Sequence, residues 1–141
     1  MTEDAARIQN YATRFLRRAR VLEEGSQLTS AQYCALSTLN SHPALSLTEL
    51  AELERVAHPT MSRIVSGLMR NGLIERQPDA HDRRTHRLSL SPAGKSTYEA
   101  IYARRLVLID ALLKQLKPET VADLMQALDR LQVMMADKPR S

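Results

Sequence analysis

The chain of 141 residues has one cysteine, one phenylalanine and no tryptophan. One cysteine cannot form an intrachain disulfide, so a reducing cytoplasm is the simplest compartment for the protein. Unbroken apolar runs are no longer than four residues, as at 106–109, whereas a membrane span needs roughly 20 residues. The amino-terminal stretch MTEDAARIQN is polar and acidic, so no secretory signal is expected. A chain of this length can bury a core without a disulfide or a metal.

Patterns that carry catalysis or metal binding are also missing from the sequence. No Gly-rich phosphate loop, nucleophile elbow or catalytic acid pair occurs, and the four histidines do not stand at metal-ligand spacing. Cys34 has no basic residue within four positions to activate its thiol, which favours an inert cysteine over a redox sensor. We therefore expect no enzymatic activity, no cofactor and no metal.

Positive charge is concentrated in the middle of the chain. The formal net charge is +4, but residues 55–95 hold eight basic and three acidic residues, a balance of +5. The remainder holds 12 basic and 13 acidic residues, a balance of −1. This asymmetry predicts a polyanionic partner for the middle region, with a solvated basic face as the alternative. Single-stranded nucleic acid is disfavoured because the region has no aromatic residue for base stacking.

Hydrophobic periodicity and capping residues predict six helices. The first helix ends near Gly25. Capping boxes over 29–32 and 46–49 open the second and third helices, which end before His42 and at about Leu53. The fifth and sixth helices each have a proline in the first turn and carry long apolar stripes; these prolines are Pro92 and Pro118.

A tight turn joins the third helix to the fourth, and a hairpin follows. The fourth helix begins at His58, has Pro59 in its first turn and ends at Gly72. The period then changes to two, which predicts strands over 73–77 and 85–91 around a polar turn with a basic tip. Two short helices, a tight turn and a basic hairpin make a winged helix-turn-helix. The expected fold class is mainly α with a small β-hairpin wing.

The fourth helix is the candidate reader of the DNA major groove, where base edges present a readable pattern of donors and acceptors. Its apolar side, with Met61, Ile64, Val65 and Leu68, faces inward, and its amino end offers small polar groups and one arginine outward. In the wing, Arg84 is the best candidate to enter the minor groove, its guanidinium held by Asp82 in a bidentate pair. A plain surface salt bridge is the alternative. The predicted DNA-binding residues are His58, Pro59, Thr60, Ser62, Arg63, Asp82, Arg83, Arg84 and Arg87.

Three segments, in this order and spacing, resemble the MarR family of bacterial transcription regulators: LTSAQYCALSTL, LSLTELAELERVAHPTMSRIVSGLMRNGLIERQ and DAHDRRTHRLSLSPAG. The most specific part is the Asp-x-Arg of 82–84 followed by the run over 88–94. The resemblance extends over nearly the whole chain and implies one MarR-type domain, 1–141. Within it, 30–94 would bind DNA, and 1–28 with 95–141 would form a homodimer. One departure is Ala57, where family members often have Ser or Thr.

The resemblance also implies a palindromic double-stranded operator and release of the DNA by a small ligand or an oxidant. It places an effector pocket, for an aromatic or lipophilic compound, near Tyr11, Phe15 and Tyr33, although such a stripe is usually core. Apart from the resemblance, the stripes of the first, fifth and sixth helices favour pairing across a two-fold axis over a monomer. The regulator would be a repressor or an activator, with repression preferred. A protein-interaction module without DNA readout is the main alternative, and a small helical enzyme has no supporting residues.

Overall fold

The structure is a computed structural model that describes residues 2–21, 25 and 28–136. Its elements divide between two compact units, Met1–Arg104 and Arg105–Ser141, with the fifth helix running from the first unit into the second. The helices and strands follow the order α1 (Glu3–Val21), α2 (Ser30–Ser41), α3 (Leu47–Glu54), α4 (His58–Arg70), β1 (Ile74–Pro78), β2 (His86–Leu90), α5 (Pro92–Leu113) and α6 (Pro118–Ala136). The fold class, mainly helical with a two-stranded wing, is confirmed.

Both predicted capping boxes are formed. Thr29 Oγ1 accepts the Gln32 amide at 3.1 Å and Gln32 Oε1 accepts the Thr29 amide at 3.0 Å. At α3 the same exchange joins Ser46 and Glu49, with distances of 3.1 and 3.2 Å. Each box satisfies two backbone amides that would otherwise lack an intrahelical partner. The predicted end of the first helix, near Gly25, adjoins residues 22–24, which lie outside the described part of the chain.

The core of the first unit lies between α2, α3, α4 and the hairpin. In α4, Met61, Val65 and Leu68 are spaced by four and three residues, so they share one face, and all three are buried as predicted. Ile64, predicted on the same side, is only half-buried. Burying each large apolar side chain contributes about 1.5–3 kcal/mol. The largest fully buried side chains are Leu36, Leu39, Leu50, Met61, Leu68, Leu88 and Ile101.

The hairpin strands pair antiparallel, with Ile74 opposite Leu90. Each observed strand differs from the prediction by one residue at both ends: β1 covers 74–78 rather than 73–77, and β2 covers 86–90 rather than 85–91. Leu73 is outside the ladder because its amide donates to Leu68 O of α4 at 2.9 Å, and its carbonyl accepts the Ser91 amide at 3.0 Å. A further bridge joins Leu88 to Leu45, whose carbonyl accepts the Leu88 amide at 2.7 Å. The wing is thereby attached to the segment that precedes α3.

The start of α5 is packed closely against Gly72 and Leu73, which lie between α4 and β1. The Ser91 hydroxyl accepts the Gly94 amide at 3.0 Å and donates to the Gly72 carbonyl at 2.5 Å, so it caps α5. A Cβ at Gly94 would lie 1.9 Å from the Leu73 carbonyl oxygen. Only glycine permits this approach of the helix to the Leu73 backbone.

In the second unit, α6 buries none of its side chains within the described residues. Six of its apolar side chains are between 40% and 69% exposed: Leu124, Met125, Leu128, Leu131, Met134 and Met135. In the first unit, Ile8, Tyr11, Phe15 and Leu16 of α1 are exposed as well. A search of the described residues finds no helix that could cross a membrane.

Candidate nucleic-acid interface

The amino end of α4 presents polar side chains to solvent. His58, Pro59, Thr60 and Arg63 are exposed, and Ser62 is half-buried. Since the inward residues of the helix are committed to the core, this outer face is available to a partner. All five predicted residues of the reader helix therefore lie on one accessible stretch of α4.

Ala57 occupies the N-cap position of α4, with φ −59° and ψ 141°, and gives no side-chain cap. Pro59 follows in the first turn, where a missing amide costs nothing. The first-turn amides of α4 thus have no side-chain acceptor from the N-cap residue. A helix amino terminus of this kind attracts an anionic group.

The tip of the wing is held by two aspartates acting on backbone amides. Asp79 Oδ1 accepts the amides of His81 at 2.7 Å and Asp82 at 3.2 Å. Asp82 Oδ1 then accepts the Arg84 amide at 3.0 Å, and its Oδ2 accepts the Thr85 hydroxyl at 3.1 Å. These successive hydrogen bonds, which each aspartate accepts from groups two and three residues later, give the turn its shape.

The predicted bidentate pair between Asp82 and the Arg84 guanidinium is wrong. Both Asp82 oxygens bond to other groups of the turn, the Arg84 amide and the Thr85 hydroxyl. A short aspartate two residues before an arginine reaches the backbone of that arginine more readily than the end of its long side chain. Asp82 therefore shapes the turn, while Arg83 and Arg84 remain exposed at the tip.

Arg84 also borders a cavity of about 250 Å³ between the amino end of α3, α4 and the hairpin. Arg76 and His86 of the two strands line the same cavity, together with residues 46–48. The structure thus brings Arg84 and Arg76 to one side of the hairpin, next to the helix-turn-helix. Arg76 was not among the predicted site residues, although the basic count of the middle region included it.

Arg87 lies apart from the exposed arginines of the tip, and its side chain is 34% exposed. Its Nε donates to Asp79 Oδ2 at 2.5 Å, and its Nη1 donates to both carboxylate oxygens of Glu49 at 3.0 Å. The two carboxylates raise the pKa of Arg87. The amides of His81 and Asp82, together with the Arg87 guanidinium, lower the pKa of Asp79 to about 2.

Sequence reasoning missed the roles of Asp79 and Glu49. The spacing of Asp79 from the amides two and three residues later is a recognisable Asx pattern. Glu49 was assigned only to its capping box, because no sequence rule links it to Arg87, 38 residues away. Within the described residues no group of His, Cys, Asp and Glu side chains could hold a metal ion.

The three aromatic residues predicted at an effector pocket have different surroundings. Tyr33 is buried, only 5% exposed, and stacks on Tyr98 with ring centroids 5.6 Å apart. Tyr98 stacks in turn on Tyr102 at 5.7 Å. Tyr11 and Phe15 of α1 are 56% and 43% exposed. Tyr33 is therefore a core residue, whereas the other two present their rings at the surface.

The fold and the exposed basic face define a winged helix-turn-helix protein, and comparison with known proteins shows which family and proteins it is similar to. The family model described as MarR family matches residues 28–86. An uncharacterized HTH-type transcriptional regulator of Mycobacterium leprae is 34% identical over 92 residues, 65% of this chain and 63% of its own length. The HTH-type transcriptional repressor MdtR of Bacillus subtilis is 30% identical over 96 residues, 68% of this chain and 62% of its own length. Residues 28–86 are thus similar to the MarR family, and the chain is similar to HTH-type transcriptional regulators.

Solved structures with similar folds cover almost the whole chain. A MarR family protein from Bacillus stearothermophilus superposes with a TM-score of 0.87 at 23% identity, covering 97% of this chain and 99% of its own. A MepR variant of S. aureus bound to an oligodeoxyribonucleotide gives a TM-score of 0.68 at 22% identity, covering 96% and 99%. The sequence matches to the first relatives span about 63% of the length of those proteins.

Proposed function

We propose that the protein is a sequence-specific regulator of transcription that binds double-stranded DNA as a homodimer. The observation that carries the proposal is the outer surface of the winged helix-turn-helix. Polar side chains at the amino end of α4 and the exposed Arg83 and Arg84 of the wing are not used by the core. An α-helix fits the major groove, and an arginine suits the negative potential of a narrow minor groove.

Each predicted contact follows from the position of its residue. His58, Thr60, Ser62 and Arg63 would approach base edges and phosphates from α4, with Pro59 shaping the first turn. Arg63 is the candidate for paired hydrogen bonds to a base. Arg83 and Arg84 would meet the backbone and the minor groove beside the major groove that α4 reads, with Asp82 fixing the turn that carries them.

The homodimer is supported by the apolar side chains left exposed on α1, α5 and α6. Residues 30–94 would then form the DNA-binding part, and residues 1–28 with 95–141 the dimerisation part. A two-fold axis would place two reader helices about 34 Å apart, one turn of DNA, on a palindromic operator. Sedimentation at micromolar concentration tests this: a dimer supports it, and a monomer at all concentrations contradicts it.

Repression is the preferred regulatory outcome. Two similar proteins are named as repressors, MdtR of Bacillus subtilis and the homoprotocatechuate degradative operon repressor of Escherichia coli. A reporter gene placed behind the bound fragment should be expressed less when the protein is present. Higher expression would identify an activator instead.

A footprint on duplex DNA next to the coding region of the protein tests DNA binding. We expect two protected half-sites, with protection lost steeply as salt rises because several phosphates are neutralised per subunit. Arg63→Ala should cost about 1–3 kcal/mol of binding free energy if Arg63 reads a base. The alternative, a winged-helix module that meets an acidic protein, predicts no protected site.

An effector would release the protein from its DNA. A small aromatic or lipophilic compound would contact Tyr11 and Phe15, whose rings are exposed. Tyr33 packs in the core, so Tyr33→Phe is a better test than truncation to alanine, which removes a buried ring at about 3–5 kcal/mol. Titration of a compound library against the protein–DNA complex should find compounds whose effect weakens in Phe15→Ala. An unchanged response in both variants would remove Phe15 and the Tyr33 hydroxyl from the pocket.

A further inference from the structure

Arg87 joins three segments of the helix-turn-helix and wing. Its Nη1 reaches Glu49 of α3 at 3.0 Å and the Ala44 carbonyl, before α3, at 3.4 Å. Its Nε reaches Asp79, at the start of the wing turn, at 2.5 Å. One guanidinium in β2 therefore connects the entrance of α3 with the turn that carries the exposed arginines.

The two carboxylates that bond to Arg87 also accept hydrogen bonds from backbone amides. Glu49 Oε2 accepts the Ser46 amide in the capping box of α3, at 3.2 Å. Asp79 Oδ1 accepts the amides of His81 and Asp82, the first two bonds of the wing turn. A movement of the wing turn relative to α3 must break at least one of these charge-assisted hydrogen bonds, which are stronger than neutral ones.

The charge of this cluster also argues against a direct contact between Arg87 and phosphate. One positive guanidinium and two carboxylates carry a formal charge of −1 together. The Asp79 side chain is 10% exposed and the Arg87 side chain is 34% exposed, so the pair lies partly out of solvent. A phosphate approaching this cluster would meet net negative charge, in contrast to the tip, where Arg83 and Arg84 are exposed without such partners among the described ion pairs.

We propose that Arg87 is a positioning residue, which fixes the wing turn and thereby Arg84 relative to α3 and α4, and that it does not contact DNA. The proposal depends on the DNA-binding function inferred above. It replaces the sequence-based prediction that Arg87 contacts DNA. In the competing possibility Arg87 does contact DNA. Its Nη2 has no partner among the described residues and would donate to a phosphate.

A double-mutant cycle between Arg87→Gln and Arg84→Ala separates the two possibilities. The probe is the duplex fragment upstream of the coding region, titrated at several salt concentrations. If Arg87 acts through Arg84, Arg87→Gln should weaken binding about fivefold in the wild-type background, and less than about twofold beside Arg84→Ala. A full additive loss would overturn the proposal, and so would an unchanged affinity.

The salt dependence gives a second readout that a loss of stability alone would not move. Removing one phosphate contact lowers the slope of log K against log salt by about 0.9. We expect this decrease for Arg84→Ala if it contacts a phosphate, and no further decrease when Arg87→Gln is added to Arg84→Ala. A further decrease of about 0.9 in the double variant would identify Arg87 as a phosphate contact and refute the proposal.

Conservative variants complete the experiment. Arg87→Lys keeps the charge but has no planar fork to bridge two carboxylates, so it should bind DNA as weakly as Arg87→Gln. Recovery of wild-type affinity by lysine would contradict positioning. If Arg87→Gln does not fold, Asp79→Asn tests the same link and should show the same dependence on Arg84. Absence of DNA binding by the wild-type protein would instead refute the proposed function.

Discussion

Gly94→Ala should destabilise the protein strongly, because the first turn of α5 approaches the backbone of Leu73, between α4 and β1, more closely than any side chain allows. The added Cβ would lie 1.9 Å from the Leu73 carbonyl oxygen and 2.8 Å from its carbon. Ordinary contacts between carbon and a carbonyl oxygen begin at about 3.3 Å, so the backbones must separate by about 1.4 Å. That movement also lengthens the hydrogen bond from Ser91 to Leu73, now 3.0 Å.

The loss of stability comes from the steric overlap with Leu73 and from the lengthened hydrogen bond between Ser91 and Leu73. Overpacking against rigid backbone costs about 1–3 kcal/mol, and a lost backbone hydrogen bond costs about 0.5–1.5 kcal/mol. We therefore expect Gly94→Ala to lower the free energy of unfolding by about 2–4 kcal/mol, which lowers Tm by about 10 °C for a domain of this size. Chemical denaturation at a fixed protein concentration measures it, since association would make stability depend on concentration.

Gly67→Ala is the matched control within the same unit. Its Cβ would meet the Gln32 side-chain nitrogen at 2.9 Å, the flexible end of a side chain. Alanine gains up to about 1 kcal/mol in helix propensity, which offsets the displacement of Gln32. We expect a change below about 1 kcal/mol in either direction. If Gly94→Ala were as mild as Gly67→Ala, the close packing of α5 on Leu73 would be refuted.

Three further predictions concern the helix entrance and the wing. Ala57→Ser should raise stability by about 1 kcal/mol by capping α4, as measured by urea unfolding; a loss would contradict the N-cap geometry. Because the pKa of Asp79 is lowered to about 2, its stabilising effect is complete above pH 4 and is lost as the pH falls through 2. The stability difference between wild type and Asp79→Asn should therefore stay constant from pH 8 to pH 5 and shrink below pH 4; a constant difference down to pH 2 would contradict this. Arg84→Ala should weaken DNA binding at least fivefold in a filter-binding titration, and Lys114→Ala, whose side chain is 74% exposed just after α5, should not; equal effects would refute the wing assignment.

Much of the fold was predictable because its signals are local. The capping boxes at Thr29 and Ser46 use residues three positions apart, so the sequence displays them directly. The alternation of β2 and the proline starts of α5 and α6 are local in the same sense. The strand limits were shifted by one residue because Leu73 bonds to both α4 and Ser91. Periodicity does not reveal such tertiary contacts.

The site was predictable in outline and less so in detail. Exposure of Arg63 follows from the inward positions of its helix neighbours, and exposure of Arg84 follows from its place in the polar turn of the hairpin. The hydrogen-bond partners of the charged side chains did not follow from the sequence. Asp82 bonds to backbone rather than to the Arg84 guanidinium, and Arg87 pairs with Glu49 across 38 residues. A long side chain can bond to several partners with similar energy, and the packed fold determines which of them it reaches.

A salt-dependent titration of duplex DNA with the purified, folded protein tests the central claim most directly. The fragment next to the coding region and an unrelated fragment of equal length are titrated in dilute buffer and then at rising salt. The account predicts that both are retarded at low salt, that the first is bound more tightly, and that affinity falls steeply as salt increases. No retardation of either fragment by folded protein would contradict it.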